Sequence, residues 1–100
     1  MTSLVETAAR IRVSSDCVVR QIKGETVLLH LTRGTYYGLD ATGTVLWHLL
    51  EDGTATRFDG LITTVAERYG RATDEIAPDI LSFLEDLRAH DLITLETGSA

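Results

Sequence analysis

The sequence offers one thiol and three imidazoles that could supply a nucleophile and its base: Cys17, His30, His48 and His90. A thiol becomes a good nucleophile when a neighbouring base or positive charge lowers its pKa, and histidine is the usual base. Cys17, however, begins a β-branched run with two valines, where a free thiol packs as a small hydrophobic group. We therefore expect no catalytic residue in this chain.

The spacing of the histidines does not match a metal site. None has a second histidine four residues away or a neighbouring cysteine, which are the patterns that zinc sites use. The glycines likewise match neither a phosphate-binding loop nor a serine nucleophile elbow. The sequence predicts a protein that is not an enzyme and that needs no metal and no cofactor.

Composition restricts the class of partner. One hundred residues, 44% of them hydrophobic, fit one compact domain. The formal net charge of −6 disfavours nucleic acid, whose phosphates need a basic surface, and suits a basic ligand. The single cysteine excludes an internal disulfide, and we find no run of about 20 apolar residues that would span a membrane. We expect a cytoplasmic protein with a flexible arm at 1–10, one domain at 11–95 and a tail at 96–100.

The first half of the chain has the period of strands. Residues 17–22 and 26–31 are rich in β-formers, a tyrosine strand follows within 33–40, and short glycine-containing loops separate the three. This pattern predicts an antiparallel meander of three strands, with a short extended segment before it at 11–14. In the middle strand, Val27, Leu29 and Leu31 share one face, and we predict that this face contacts the helices. The opposite face carries Thr26, Leu28 and His30.

The second half has the period of helices. We predict three helices, which begin near residues 40–42, 56–59 and 73–75 and end near Gly53, Gly70 and 90–91, followed by a short strand at 92–95. Three strands followed by three helices predict a small α+β domain of the winged helix-turn-helix kind.

The tyrosine strand is the best candidate for a binding element. Tyr36 and Tyr37 must point to opposite faces because side chains alternate along a strand, so only one of them can join the core. Gly34 and Gly38 flank them and would allow another backbone to approach closely. As an outer strand of the meander it leaves one row of backbone N–H and C=O groups unpaired. We predict that this edge accepts a guest peptide.

The third predicted helix offers acidic residues for such a guest. Helical spacing places Asp79 and Asp86 on one shoulder of its apolar stripe, with Phe83 on the same side. One interpretation is a solvated helix face, as most charged helix faces are. The other is that the two carboxylates pair with Lys or Arg of the guest while Phe83 forms an apolar floor.

These residues also carry a family resemblance. The run VLLHLTRGTYYGLDATGTVLW at residues 27–47 resembles the signature of PqqD-like proteins, which recognise ribosomally made precursor peptides. DILSFLEDL at 79–87 and DLI at 91–93 are similar to the third helix of that family and its exit. The resemblance covers residues 11–95, and within the family it is greatest for the discrete small proteins of lasso-peptide pathways.

The resemblance implies a non-catalytic protein that binds the leader segment of a precursor peptide as an added strand. It implies delivery of that peptide to a separate cysteine-protease-like leader peptidase, with an ATP-dependent macrocyclase acting downstream. The peptide-binding residues carried over by position are Thr35, Tyr36, Tyr37, Gly38, Leu39, Asp79, Phe83, Asp86 and Leu87.

Three alternatives accompany this interpretation. The first is a chaperone that delivers its peptide to a radical enzyme in quinone-cofactor synthesis. The second, of another class, is an acidic winged-helix module that regulates through DNA or protein contacts. The third concerns assembly, because the unpaired strand edge could pair with a second copy and form a dimer when no peptide is bound.

Overall fold

The computed structural model describes residues 10–53 and 55–96. The elements in chain order are β1 (Arg10–Val13), β2 (Cys17–Ile22), β3 (Glu25–His30), β4 (Thr35–Leu39), α1 (Ala41–Glu51), α2 (Phe58–Tyr69), α3 (Thr73–Ala89) and β5 (Ile93–Glu96). The predicted α+β class, with a three-stranded antiparallel sheet followed by three helices, is confirmed. Most of the predicted arm and tail lies outside the described residues, whereas Arg10 and Glu96 belong to β1 and β5.

The larger sheet has the strand order β2-β3-β4, with both pairs antiparallel. Lys23 and Gly24 connect β2 to β3, and both have positive φ angles, of 52° and 82°. Positive φ at both central residues is what a two-residue type I′ hairpin requires, and its twist matches that of the strands. The short β1 and β5 pair separately as a two-stranded antiparallel sheet.

The helices cover one face of the larger sheet, and it is not the face that the sequence predicted. Leu28 has an exposed fraction of 0% and belongs to the hydrophobic core, whereas Leu31 is 63% exposed. The prediction that Val27, Leu29 and Leu31 contact the helices is therefore wrong. Counting apolar residues in β3 alone selects the wrong face, because the neighbouring strands decide it: Leu28 pairs with Val19 of β2 and Tyr37 of β4, and both pack against the core.

The polar residues on the buried face of β3 are satisfied locally. The Gln21 side-chain amide donates to the Thr26 hydroxyl at 2.8 Å, and the Arg33 backbone N–H donates to Nδ1 of His30 at 3.2 Å. A buried polar group costs little once it is hydrogen-bonded, which allows Thr26 and His30 to face the helices.

The core itself lies between this sheet face and the three helices. It includes residues from every helix and from both sheets: Ile11, Leu28, Leu39, Leu46, Trp47, Leu49, Leu50, Leu61, Val65, Ile76, Ile80, Leu84, Leu87, Leu92 and Ile93. Within residues 10–53 and 55–96, no helix combines the length and the apolar character that crossing a membrane requires.

Candidate functional site

The edge of β4 that faces away from β3 has no strand partner among the described residues. We use the name β4–α3 surface for this edge together with three side chains of α3: Asp79, Phe83 and Asp86. The predicted site residues of the tyrosine strand, Thr35, Tyr36, Tyr37, Gly38 and Leu39, form β4 itself. An unpaired strand presents alternating donors and acceptors, so this edge can form a β-ladder with an extended peptide.

The two tyrosines of β4 do point to opposite faces, as predicted. Tyr36 pairs with Leu29 on the outer face and is 74% exposed, whereas Tyr37 pairs with Leu28 on the helix side and is half-buried. The Tyr37 hydroxyl donates to Oδ2 of Asp86 at 3.3 Å. Burial, and then the charge of Asp86, raise the pKa of Tyr37 above its usual value, so the hydroxyl stays protonated as a donor.

Further contacts hold the β3–β4 hairpin to the C-terminal end of α3. The ring of His90 lies 5.1 Å from the ring of Tyr37, at an interplanar angle of 58°. Arg33, in the turn before β4, forms an ion pair with Asp91, which follows α3. The sequence did not predict these two contacts, because no local pattern relates a turn at residue 33 to a helix exit at residue 91.

At the other end of β4, the chain turns tightly into α1. Oδ1 of Asp40 accepts the Gly43 backbone N–H at 2.7 Å, which caps α1. A Cβ at position 43 would lie 3.2 Å from the Phe83 ring, so the glycine lets that ring approach α1 closely. Gly43 is therefore a site residue that the sequence analysis missed, since its spacing matched no known motif.

A cavity of about 340 Å³ continues from this end of β4 between the three helices. Two predicted site residues, Asp79 and Phe83, line it together with the capping residue Asp40. Tyr69 and Arg71 also line it and were not predicted. The remaining lining residues are Thr42, Gly43, Leu46, Val65, Ile76 and Ile80. The cavity therefore has apolar walls with carboxylates among its lining groups, which suits an apolar or amphipathic side chain.

The structure separates the predicted α3 residues into three positions. Asp86 lies against Tyr37, whereas Asp79 and Phe83 lie at the cavity. Leu87 is 0% exposed and packs in the core beneath the surface. Among the described residues, Asp79 makes no hydrogen bond or ion pair, so its carboxylate is available to a cation. Arg71, in contrast, lies 3.6 Å from the Glu75 carboxylate.

Two of the four candidate catalytic residues lie on adjacent strands. Cys17 and His30 are cross-strand partners in β2 and β3, a proximity that the sequence did not predict. Burial, and then the charge of Glu51, raise the pKa of the Cys17 thiol to about 11, so it is protonated at neutral pH. Across residues 10–53 and 55–96, no three His, Cys, Asp or Glu side chains come together as metal ligands would.

The fold and this surface define a small α+β protein with an open strand edge beside a helix. The family model of coenzyme PQQ synthesis protein D (PqqD) matches residues 25–93, which include the larger part of the sheet and all three helices. The chain belongs to the PqqD family. Among curated proteins there is no significant match to this chain.

Two solved structures are similar to the chain. The structure of TbiB1 in complex with the TbiA(beta) leader peptide is 35% identical, with a TM-score of 0.72, and the match covers 89% of this chain and 99% of that one. Lasso peptide synthetase B1 complexed with its leader peptide also has a TM-score of 0.72. It is 20% identical, over 85% of this chain and 98% of that one, and at this identity the similarity concerns the fold.

Proposed function

We propose that this protein binds the leader segment of a ribosomally made precursor peptide, of a lasso-peptide pathway, as a strand added to the β4 edge. The observation that carries the proposal is an unpaired β4 edge beside α3 in a chain that is 35% identical to TbiB1, itself solved with a leader peptide. The open edge provides a physical mechanism for binding, and the similarity to TbiB1 indicates the class of ligand.

Backbone and side chains contribute differently to this mode of binding. Hydrogen bonds along β4 recognise any extended backbone, so they provide affinity with little dependence on sequence. Selectivity comes from side chains of the leader, which alternate between the two faces of the sheet. Those on the helix side meet Tyr37 and α3.

The β4–α3 surface offers two different contacts to those side chains. Asp79 and Asp86 attract a basic side chain, consistent with the net charge of −6. Phe83 and the cavity beyond it accept an apolar side chain, for which a volume of about 340 Å³ is sufficient. Leu39 and Leu87 are buried and support this surface from below.

The protein then delivers the leader and carries out no reaction of its own. Its partners in this proposal are a separate cysteine-protease-like leader peptidase and, downstream, an ATP-dependent macrocyclase. The raised pKa of the Cys17 thiol supports a role without catalysis. A dimer through the β4 edge is compatible with the empty protein and would compete with the leader for the same backbone groups.

A second candidate function is favoured by the family itself. The matching family model describes a protein of coenzyme PQQ synthesis. In that version the same edge would bind a precursor peptide and deliver it to a radical enzyme. The leader that binds distinguishes the two, since a lasso precursor and a quinone precursor are different peptides.

Fluorescence anisotropy with a labelled leader peptide tests the proposal. We expect a dissociation constant from sub-micromolar to micromolar, or about −8 to −10 kcal/mol. Phe83→Ala should weaken binding by about 1–3 kcal/mol, because the ring is a central apolar contact. Phe58→Ala is the matched control, since Phe58 packs at the start of α2, outside the β4–α3 surface.

Backbone amide shifts on addition of leader locate the bound peptide. We expect the responding amides at residues 34–40 and 79–90. Absence of binding at about 50 µM leader, which corresponds to about −6 kcal/mol, would contradict the proposal. A response confined to β2, at the opposite edge of the sheet, would mean that the leader does not bind at β4. It would also contradict the proposal.

A further inference from the structure

The cavity beside β4 contains one charged lining group that the protein itself does not use. Three charged side chains line the cavity: Asp40, Arg71 and Asp79. Asp40 caps α1 through its bond to the Gly43 backbone N–H, and Arg71 lies 3.6 Å from the Glu75 carboxylate. Asp79 forms neither a hydrogen bond nor an ion pair within the described part of the chain. With two carboxylates and one guanidinium the lining is net negative, and Asp79 is the group left to meet a ligand.

The same cavity places apolar surface next to this carboxylate. Asp79 and Phe83 are four residues apart in α3, so they are neighbours on one face of the helix. The other walls include four buried aliphatic residues: Leu46, Val65, Ile76 and Ile80. A side chain that enters therefore meets apolar groups and a negative charge together. Lys and Arg fit this combination, because an aliphatic stem carries the cation and the cation is also attracted to an aromatic ring.

Asp86, the second predicted carboxylate of α3, lies in a different environment. Its Oδ2 accepts the Tyr37 hydroxyl at 3.3 Å, and its backbone carbonyl lies 2.8 Å from Nδ1 of His90. A leader cation at this position would compete with Tyr37 for the carboxylate. The two carboxylates therefore have different roles: Asp86 holds Tyr37, and Asp79 remains available to the leader.

The strand register determines which leader residue comes near each carboxylate. Tyr37 and Leu39 are successive helix-side residues of β4, since each pairs with an inner-face residue of β3. Leader residues directly beside them face the helices as well, because residues opposite each other in paired strands point to the same face. The leader residue beside Tyr37 meets the carboxylate of Asp86, which is already hydrogen-bonded.

The leader residue beside Leu39 lies at the end of β4 from which the cavity continues. A Cβ at position 43 would lie 3.4 Å from the Leu39 side chain and 3.2 Å from the Phe83 ring, so these groups meet at that end of β4. Asp79 lies four residues before Phe83 in α3, which corresponds to about 6 Å along the helix axis. Reaching the carboxylate from β4 takes a long side chain, which Lys and Arg have.

We propose that the cavity selects one Lys or Arg of the leader, at the helix-facing position beside Leu39, with its stem against Phe83 and its cation at Asp79. This inference rests on the proposed function and specifies the class of leader that the site accepts. A single side chain then makes both the apolar and the basic contact of the β4–α3 surface. Asp79 is the residue that determines this specificity.

A double-mutant cycle between the protein and the leader tests the inference by fluorescence anisotropy. The probe is the labelled leader peptide of the same pathway, in which each Lys or Arg is replaced in turn by Met, a long side chain without charge. Asp79→Asn should weaken binding of the unaltered leader about fivefold, the upper range for an exposed ion pair. It should not weaken binding of the leader that lacks the selected cation. About 0.5 M NaCl should reduce the fivefold difference to less than about twofold, because salt screens an exposed pair.

Two further variants and one swap separate this contact from general effects of charge. Glu67→Gln removes an exposed carboxylate of α2 that does not line the cavity, and it should leave the affinity for every leader within about twofold of wild type. Asp86→Asn should affect all the leaders equally, since Asp86 meets no leader cation. Asp79→Lys, combined with Glu at the selected leader position, should recover affinity that either change alone removes.

The outcomes distinguish this inference from leader binding itself. Equal weakening of every leader by Asp79→Asn, or coupling of the leader cation to Asp86 instead, would overturn the inference while leader binding stands. Normal binding of a leader without any Lys or Arg would overturn it as well. If the wild-type chain binds no leader at all, the proposed function fails, and the inference fails with it.

Discussion

The two faces of the larger sheet have similar hydrophobicity but different environments. On the inner face, Leu28 is completely buried beneath the helices. On the outer face, the adjacent Leu29 is only half-buried and Tyr36 projects into solvent. The comparison teaches that the apolar content of a strand does not identify its buried face. The connections that bring helices onto one side of the sheet decide which apolar set becomes core and which becomes surface.

The polar residues of β3 also show that residue type does not identify the buried face. The buried face contains Thr26 and His30, both hydrogen-bonded by neighbours, whereas Val27 and Leu29 occupy the face without helices. Val27 is nevertheless only 8% exposed, so burial on this sheet is not confined to the face that the helices cover.

The largest expected effect comes from truncating the two adjacent leucines of β3. Leu28→Ala should lower the free energy of unfolding by about 2–5 kcal/mol, because it leaves a cavity in the core. Leu29→Ala should cost about 1 kcal/mol or less, since solvent reaches that side chain already. Urea unfolding followed by circular dichroism measures both values. Equal losses for the two variants would contradict the assignment of the faces.

The adjacent tyrosines of β4 provide a smaller contrast. Tyr37→Phe removes the hydrogen bond to Asp86 and should lower the free energy of unfolding by about 0.5–1.5 kcal/mol. Tyr36→Phe should leave it unchanged, because its hydroxyl lies on the exposed outer face. A double-mutant cycle of Tyr37→Phe with Asp86→Asn isolates the pair. A coupling energy of zero would show that this hydrogen bond does not hold β4 to α3.

The smallest expected effect is a loss of stability at high pH, which comes from Cys17 on the inner face of the sheet. Burial raises the pKa of Cys17 from 9.0 to about 11, so the folded state retains its proton longer than the unfolded chain. The thiol's contribution to stability is therefore fully present below pH 9 and is lost as pH rises from 9 to about 11. The pKa of Tyr37 is also raised, so its deprotonation at higher pH lowers the free energy of unfolding further.

Urea unfolding over this pH range checks that expectation. Cys17→Ala should show a shallower decrease in unfolding free energy between pH 9 and 11 than the wild-type chain. Val18→Ala, on the adjacent outer-face residue, should keep the wild-type slope because it removes no titrating group. Parallel slopes for all three proteins would mean that the thiol is not buried as described.

Much of the fold follows from local patterns in the sequence. Alternation and turn residues predicted the three-stranded meander, and the helices end near Gly53 and Gly70, as expected. The aromatic run around Tyr36 and the third-helix pattern were also sufficient to suggest the family. Local patterns succeed here because strand alternation, helical period and glycine at positive φ are properties of neighbouring residues.

The site required the tertiary structure. Helical spacing placed Asp79 and Asp86 on one shoulder of α3, but only packing shows that Asp86 meets Tyr37 while Asp79 lines the cavity. The contact of Gly43 with Phe83 joins residues 40 positions apart, which no local pattern contains.

The sequence by itself determined which residues form strands and helices and which side chains share a face. Only the tertiary structure decided that Leu28, rather than Leu29, is buried. The physical reason is that alternation makes two faces distinct but equivalent until helices, positioned by distant contacts, cover one of them. The same packing leaves Tyr36 exposed and leaves the β4 edge without a strand partner among the described residues.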